Sequence, residues 1–341
     1  MSLSEPMFKA GETVEGYRVH TALGEGAASH IYLVQDPKTK QVWALKHVHR
    51  GDAKDARFLD QAIQEYQIAS KLNHPNIRKI TRLIKKTRRL LYLTDVMLVM
   101  EVVDGVSMDR RPPKRFDDAV SLFEQTARAM GHMHERGFAH ADMKPNNIMV
   151  CQSANGPMAK IIDLGQSCTL GTVKGRIQGT PDYIAPEQVH RRPITSRTDV
   201  YNLGATMYWT VTGRHVPTAL PRGDSLVSRI DDHLIPKPRA ASEINPRIPG
   251  KLNELIMHCV EIDPEDRPDD MGHVVEVLQN VLGELRLSGI AARDKTKEGS
   301  SVGGLILNDA TNHEGARLNE GSAPGTLRAT SDASGPVPPL A

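Results

Sequence analysis

Three stretches near the start of the chain alternate apolar and polar side chains: Tyr17 to Leu23, His30 to Val34 and Val42 to Val48. A period of two, rich in β-branched and aromatic residues, predicts strands with one buried face. Asp36-Pro37-Lys38-Thr39-Lys40 supplies turn chemistry between the second and third, so the chain opens as an antiparallel meander. The period then changes. Phe58, Leu59, Ala62, Ile63, Tyr66, Ala69 and Leu72 recur at helical spacing and predict a helix over about 53–72. Asn73-His74-Pro75 ends it. Two further strand-like runs, Arg78 to Ile84 and Val96 to Val103, flank a hairpin connection over 85–95.

After Gly105 the pattern becomes mainly helical. Ala119, Val120, Leu122, Phe123, Ala127, Met130 and Met133 form one apolar face of a helix over 117–136, which Gly137 stops. A short strand to Cys151, a Gly-Pro turn and the apolar run Ala159 to Ile162 follow. Helices are predicted again over 198–212 and 271–287. Beyond Ser288 the chain is Gly-, Ser-, Thr- and Ala-rich with few large apolar residues, which predicts a disordered tail over 288–341. The expected organisation is an N-terminal extension at 1–16, a strand-rich lobe at 17–105 and a helical lobe at 106–287.

Composition adds exclusions. The 341 residues are 39% hydrophobic and 25% charged with a formal net charge of +2, which gives no electrostatic case for nucleic acid or an acidic membrane. Basic runs such as Lys85 to Arg89 read as solvated faces or turns. Three scattered cysteines suit neither a disulfide framework nor a zinc site. No signal peptide is visible at the start, and the most apolar window, Leu90 to Val103, is broken by Asp95 and Glu101 and too short to span a bilayer. A cytoplasmic location is expected.

The chemistry concentrates in His140-Ala141-Asp142-Met143-Lys144-Pro145-Asn146-Asn147. Within eight residues this loop supplies a carboxylate, an ammonium group and a carboxamide, the parts that phosphoryl transfer requires. Asp163-Leu164-Gly165 follows Asp142 by 21 residues and adds a second carboxylate at a strand end. With Asn147 it makes a hard-oxygen pair suited to Mg²⁺. Upstream, Leu23-Gly24-Glu25-Gly26-Ala27 lies between two strands, where glycines either make an ordinary hairpin turn or let the backbone approach an anion. Lys46 on its apolar strand is either an edge lysine or a phosphate ligand, and Glu65 is either a surface charge or its partner.

These motifs, in this order, resemble the protein kinase superfamily. The likeness runs from about Tyr17 to Leu287 and is strongest in Gly179-Thr180-Pro181-Asp182-Tyr183-Ile184-Ala185-Pro186-Glu187, similar to the end of a serine/threonine kinase activation segment. Asp199 and Asp263-Pro264-Glu265-Asp266-Arg267-Pro268 resemble the family's later motifs. The resemblance implies an α+β, two-lobed kinase fold of bacterial, eukaryotic-type character, with ATP and Mg²⁺ between the lobes. It implies that Asp142 orients the acceptor hydroxyl, Lys144 steadies the γ-phosphate, and Asn147 and Asp163 bind metal. Lys46, held by Glu65, and the loop Leu23, Gly24, Glu25, Gly26 and Ala27 would take the phosphates. Ala44, Met100 as gatekeeper, and backbone groups of Glu101 and Val103 would surround the adenine. Arg267 would pair with Glu187.

The substrates implied are proteins bearing Ser or Thr. Departures from the pattern are Ser29 for the third glycine, Ala141 for arginine and Leu164 for phenylalanine. They leave open a pseudokinase that binds ATP or acts as a scaffold, although every charged position carries the expected residue. A small-molecule kinase sharing the fold core would lack the string at 179–187. Ala141 removes a cation whose repulsion a phosphate normally relieves, so activity is expected not to depend on phosphorylation of Ser167, Thr169 or Thr172.

Overall fold

The structure, a computed structural model, describes residues 7–300 except 27, 53–54, 89–91, 155, 219 and 221–234, with side chains described to Ser288. Ala27 of the glycine-rich turn and most of the expected tail therefore lie outside the described residues.

The strand-rich lobe is built on six antiparallel strands: β1 (Thr13–Val14), β2 (Tyr17–Gly26), β3 (Ser29–Gln35), β4 (Val42–His49), β5 (Ile80–Arg88) and β6 (Tyr92–Met100). Their order is β1-β2-β3-β4-β6-β5. The predicted meander is present, and its period of two sorts the side chains onto faces. Tyr32, Val34, Leu45, Met97 and Val99 pack on one face, together with Val14, Val19 and Ile84. Ala44, Val48, Val96, Leu98 and Met100 meet Leu59, Ala62 and Ile68 of α1 (Ala56–Ala69) on the other. The stretch expected to precede the domain joins it: Val14 pairs with Tyr17, and the Phe8 amide donates to the Tyr32 hydroxyl.

Strands β5 and β6 run well into the expected hairpin connection, with Lys85 opposite Val96 and Arg88 opposite Tyr92. Both faces of this end are largely solvated, so the basic run carries no alternation to mark it as strand. The fragment Val102 to Val103 is not strand, since β6 stops at Met100.

A short strand β7 (Val106–Ser107) leads to α2 (Phe116–Glu135). Ten of its residues are buried, including the whole predicted apolar face. The strands β8 (Phe138–Ala139), β9 (Ile148–Ser153), β10 (Gly156–Ile161) and β11 (Cys168–Thr169) come next. Gly156 and Pro157 belong to β10 rather than to a turn, facing Ser153 and Gln152.

Helices α3 (Pro186–Val189), α4 (Ser196–Thr212), α5 (Ala241–Ile244), α6 (Gly250–Cys259) and α7 (Met271–Ser300) complete the second lobe. Helix α4 is its axis, buried along every residue from Thr198 to Thr212. A helix sealed on all sides must satisfy its polar side chains internally. Thr206, Thr210 and Thr212 do so by donating to the carbonyls of Asn202, Thr206 and Tyr208, one turn back. Gly213 ends the helix at φ 68°, a left-handed conformation natural to glycine. Helix α7 extends past the predicted end at Leu287 to Ser300, because Ala291, Ala292, Arg293, Lys295, Lys297 and Glu298 favour helix despite lacking large apolar groups.

Candidate active site

Asp199, near the start of α4, fixes the loop that carries the chemistry. Its fully buried carboxylate accepts from the backbone amides of His140 and Ala141, each at 2.7 Å, and lies 2.8 Å from His134 Nε2. Burial works to raise its pKa, but the His134 contact, the His140 charge and the Ala141 amide outweigh it and hold the carboxyl below its ordinary range. The grip has a purpose. Ala141 is held at φ 60°, a conformation that disfavours any side chain by roughly 1–2 kcal/mol. Asp199 pins its amide and the Gln188 side chain donates to its carbonyl at 2.9 Å. With that kink in place, Asp142 follows directly.

Asp142 is almost buried and surrounded by three partners. Lys144 Nζ donates to Oδ2 at 2.9 Å and the Thr180 hydroxyl donates to Oδ1 at 2.9 Å. Lys144 also donates to Thr180 Oγ1 at 2.7 Å, closing a triangle of carboxylate, ammonium and hydroxyl. The Asn147 amide nitrogen donates to the Asp142 carbonyl at 2.8 Å, which leaves the Asn147 carbonyl oxygen as its free ligand atom. The ammonium lets the carboxylate and any nearby anion coexist, and the carboxylate can orient a hydroxyl or accept its proton.

Across the cleft, Lys46 Nζ donates to Glu65 Oε2 at 2.7 Å and sits 3.9 Å from Asp163 Oδ1. Burial opposes the Lys46 charge, but Glu65 and Asp163 prevail and raise its pKa. Asp163 shifts the other way. Burial favours its neutral form, while Lys46, the Gly165 amide at 2.9 Å and Arg78 hold it ionised. An ionised carboxylate and a carboxamide oxygen at one mouth, faced by an ammonium group, fit Mg²⁺ with phosphate oxygens. Leu23 to Gly26, expected as a turn, instead form the end of β2, with Gly24 opposite Ile31, Glu25 opposite His30 and Gly26 opposite Ser29. An added Cβ at Gly24 meets no atom within 4 Å, so packing inside the chain does not demand glycine there. Leu23 and Glu25 are exposed.

Ala44 and Met100 are buried and paired in register, flooring the cleft. Glu101 is more occupied than expected. Its amide donates to the Lys79 carbonyl, its carboxylate takes Lys160 Nζ at 2.5 Å and the Lys79 amide at 3.1 Å, so only its carbonyl is left for a ligand. Val103 is half-buried just beyond.

The segment after Asp163 is tied down at its start. Cys168 and Thr169 pair with Ala139 and Phe138, and Thr172 and Gly171 exchange backbone bonds with Ile194. At its end Arg267 Nη1 and Nη2 meet the Glu187 carboxylate at 2.8 and 3.0 Å, the predicted bidentate pair.

Sequence reasoning missed two cations. Arg78 has a buried Nε with no hydrogen-bond partner, and Glu65 Oε1 is likewise unpartnered; Arg78 lies within electrostatic reach of both Glu65 and Asp163. The sequence placed Arg78 at the start of a strand-like run, but β5 begins only at Ile80, and nothing local marked Arg78 as a partner of these carboxylates. Lys174 lies within reach of Asp142 and Asp199; burial lowers its pKa while Cys168 and those two carboxylates pull the other way. The side chain at Ala141 itself sits in an apolar cluster of Ala139, Cys168 and Ile194, with Leu170 against it.

Comparison with known proteins agrees with this geometry. Residues 17–280 match the protein kinase domain family. The chain is 29% identical over 266 residues to the serine/threonine-protein kinase PrkC of Bacillus subtilis, covering 75% of this chain and 39% of that protein. It is 28% identical over 339 residues to serine/threonine-protein kinase Pkn1 of Myxococcus xanthus, covering 92% of this chain and 46% of that protein. It is 28% identical to serine/threonine-protein kinase PknJ of Mycobacterium tuberculosis, covering 76% and 44%. The chain thus spans less than half the length of each of these relatives. Among the described residues no helix is long and apolar enough to cross a membrane. With its motifs assembled around one cleft and the family matched across both lobes, the chain belongs to the protein kinase domain family.

Proposed function

We propose that the protein transfers the γ-phosphoryl group of ATP to Ser and Thr hydroxyls of protein substrates in the cytoplasm, and to its own chain. The catalytic domain in this reading is 17–287. The observation that carries it is the Asp142–Lys144–Thr180 triangle beside Asn147, facing Lys46 and Asp163 across the cleft. Asp142 receives the acceptor hydroxyl and takes or directs its proton. Lys144 steadies the phosphoryl group as it leaves, and Lys46, kept in place by Glu65, holds the remaining phosphates. Asn147 and Asp163 would hold Mg²⁺, which when bound neutralises charge on the phosphate oxygens. The end of β2 at Leu23, Gly24, Glu25 and Gly26, with Ala27 after it, would cover the phosphates, and Ala44, Met100, the Glu101 carbonyl and Val103 would meet the base.

Ser167 is buried and Lys174 brings a cation from within the segment toward Asp142 and Asp199. Both support the reading that no phosphate is needed to order this segment. Acceptor class is tested by incubating the full chain with labelled ATP and a mixed protein substrate, then identifying the labelled residues. Label on Ser and Thr alone is expected; label confined to Tyr would overturn the assignment.

A further inference from the structure

The sheet face turned away from the nucleotide cleft carries a polar cluster that phosphoryl transfer does not use. His47 and His49 are two residues apart on β4 and therefore share a face. The register places Asp95 of β6 opposite His49. His47 Nε2 and His49 Nδ1 each lie 2.8 Å from the same oxygen, Asp95 Oδ1. Among the described residues this is the one group of three His, Cys, Asp or Glu side chains whose candidate ligand atoms all lie within 4.8 Å of one another.

We propose that His47, His49 and Asp95 form a binding site for a divalent transition-metal ion, with Zn²⁺ the best-suited case. Two imidazoles and one carboxylate are a Zn²⁺-type donor set, whereas Mg²⁺ prefers all-oxygen surroundings. The site is therefore chemically separate from the pair Asn147 and Asp163.

The geometry is close to that required. Ligands at about 2.0–2.2 Å around a tetrahedral ion stand roughly 3.3 Å apart, so each nitrogen–oxygen separation would widen by about 0.5 Å, through small movements of His49 and Asp95. His49 can supply that movement, since its side chain is 44% exposed, and the same exposure leaves an approach for the ion and a water. His47 is fixed, 1% exposed and packed against the Phe8 ring at 4.8 Å. The neighbouring cation Arg50 is engaged over the Tyr92 ring at 4.4 Å and by the Asp52 carbonyl. An ion here would clip β4 to β6 directly after Lys46, with Val48 between the two histidines.

The test uses the full chain, stripped with a chelator and dialysed. Zn²⁺ is titrated in competition with a chromophoric chelator, and the thermal midpoint is read with and without Zn²⁺. The wild type is expected to take up one tight equivalent and to rise in thermal midpoint. His49→Ala and Asp95→Asn, measured first in chelator to establish that they fold, are each expected to weaken uptake at least tenfold and to lose the rise. Failure of the wild type to bind one equivalent, or equal uptake by wild type and both variants, would overturn the site.

Discussion

The Arg267–Glu187 pair offers the sharpest stability prediction. Arg267 is sealed from solvent and uses all five of its N–H groups: two on Glu187, and one each on the carbonyls of Glu261, Arg197 and Ile262. Its guanidinium also lies 4.8 Å over the Tyr201 ring. Arg267→Met leaves a buried carboxylate without its partner, which costs about 3–5 kcal/mol. Three carbonyls lose a donor as well, yet relaxation and water entry keep such losses from adding fully, so about 4 kcal/mol is expected. That is roughly a thousandfold in the folding equilibrium. Trp209, buried in α4, reports on this lobe by fluorescence in a Trp43→Phe background, and urea midpoints give the difference. Adding Glu187→Leu to Arg267→Met removes the stranded charge and should recover at least about 2 kcal/mol relative to additivity. The effect should reach the cleft, because Gln188, next to Glu187 on α3, holds the Ala141 carbonyl. A loss below about 1 kcal/mol, or strict additivity of the two changes, would refute the reasoning.

Other outcomes follow from packing and charge. A Cβ at Gly204 of α4 would stand 2.4 Å from the Cys259 Cβ and 3.2 Å from its backbone carbon, so Gly204→Ala should cost about 1–3 kcal/mol in the same urea assay. Adding Cys259→Ala should not rescue it, because the clash is with atoms that alanine keeps. Burial pushes the Cys259 thiol up to about 12, so thiol reagents at pH 8 should label it only as fast as the lobe unfolds; rapid labelling of native protein would contradict its place between α4 and α6. Replacing Ser167, Thr169 and Thr172 together by alanine should leave most of the phosphoryl-transfer rate, measured on a peptide. A hundredfold fall would show that a phosphate is needed after all.

What the sequence disclosed, and what it withheld, follows from range. The alternation in β2 to β4 and the apolar face of α2 are local, and both were legible. Helix α6 was equally legible in Leu252, Leu255, Ile256 and Cys259, at helical spacing, but went unread among Pro and Gly residues. The far end of the β5–β6 hairpin was hidden because solvent lies on both sides, and a strand without a buried face has no alternation. Motif spacing placed Asp142, Asn147 and Asp163 in one loop system, and family likeness brought Lys46 and Glu65 to them. Charges that act across the fold were illegible. Nothing near Arg78 marks its approach to Glu65 and Asp163, and nothing near Lys174 says that it acts on Asp142 and Asp199. His47 and Asp95 are 48 residues apart, and only the strand register brings them together.

The central claim is that Asp142, set by the Asp199 anchor and steadied by Lys144, makes this cleft a phosphotransferase rather than a nucleotide-binding scaffold. The direct measurement is steady-state ATP turnover with a protein substrate by the wild type and by Asp142→Ala, each first shown to bind ATP. Turnover by the wild type and a loss of at least a hundredfold in the variant are predicted. Equal turnover by the two proteins, or none by the wild type, would contradict the account.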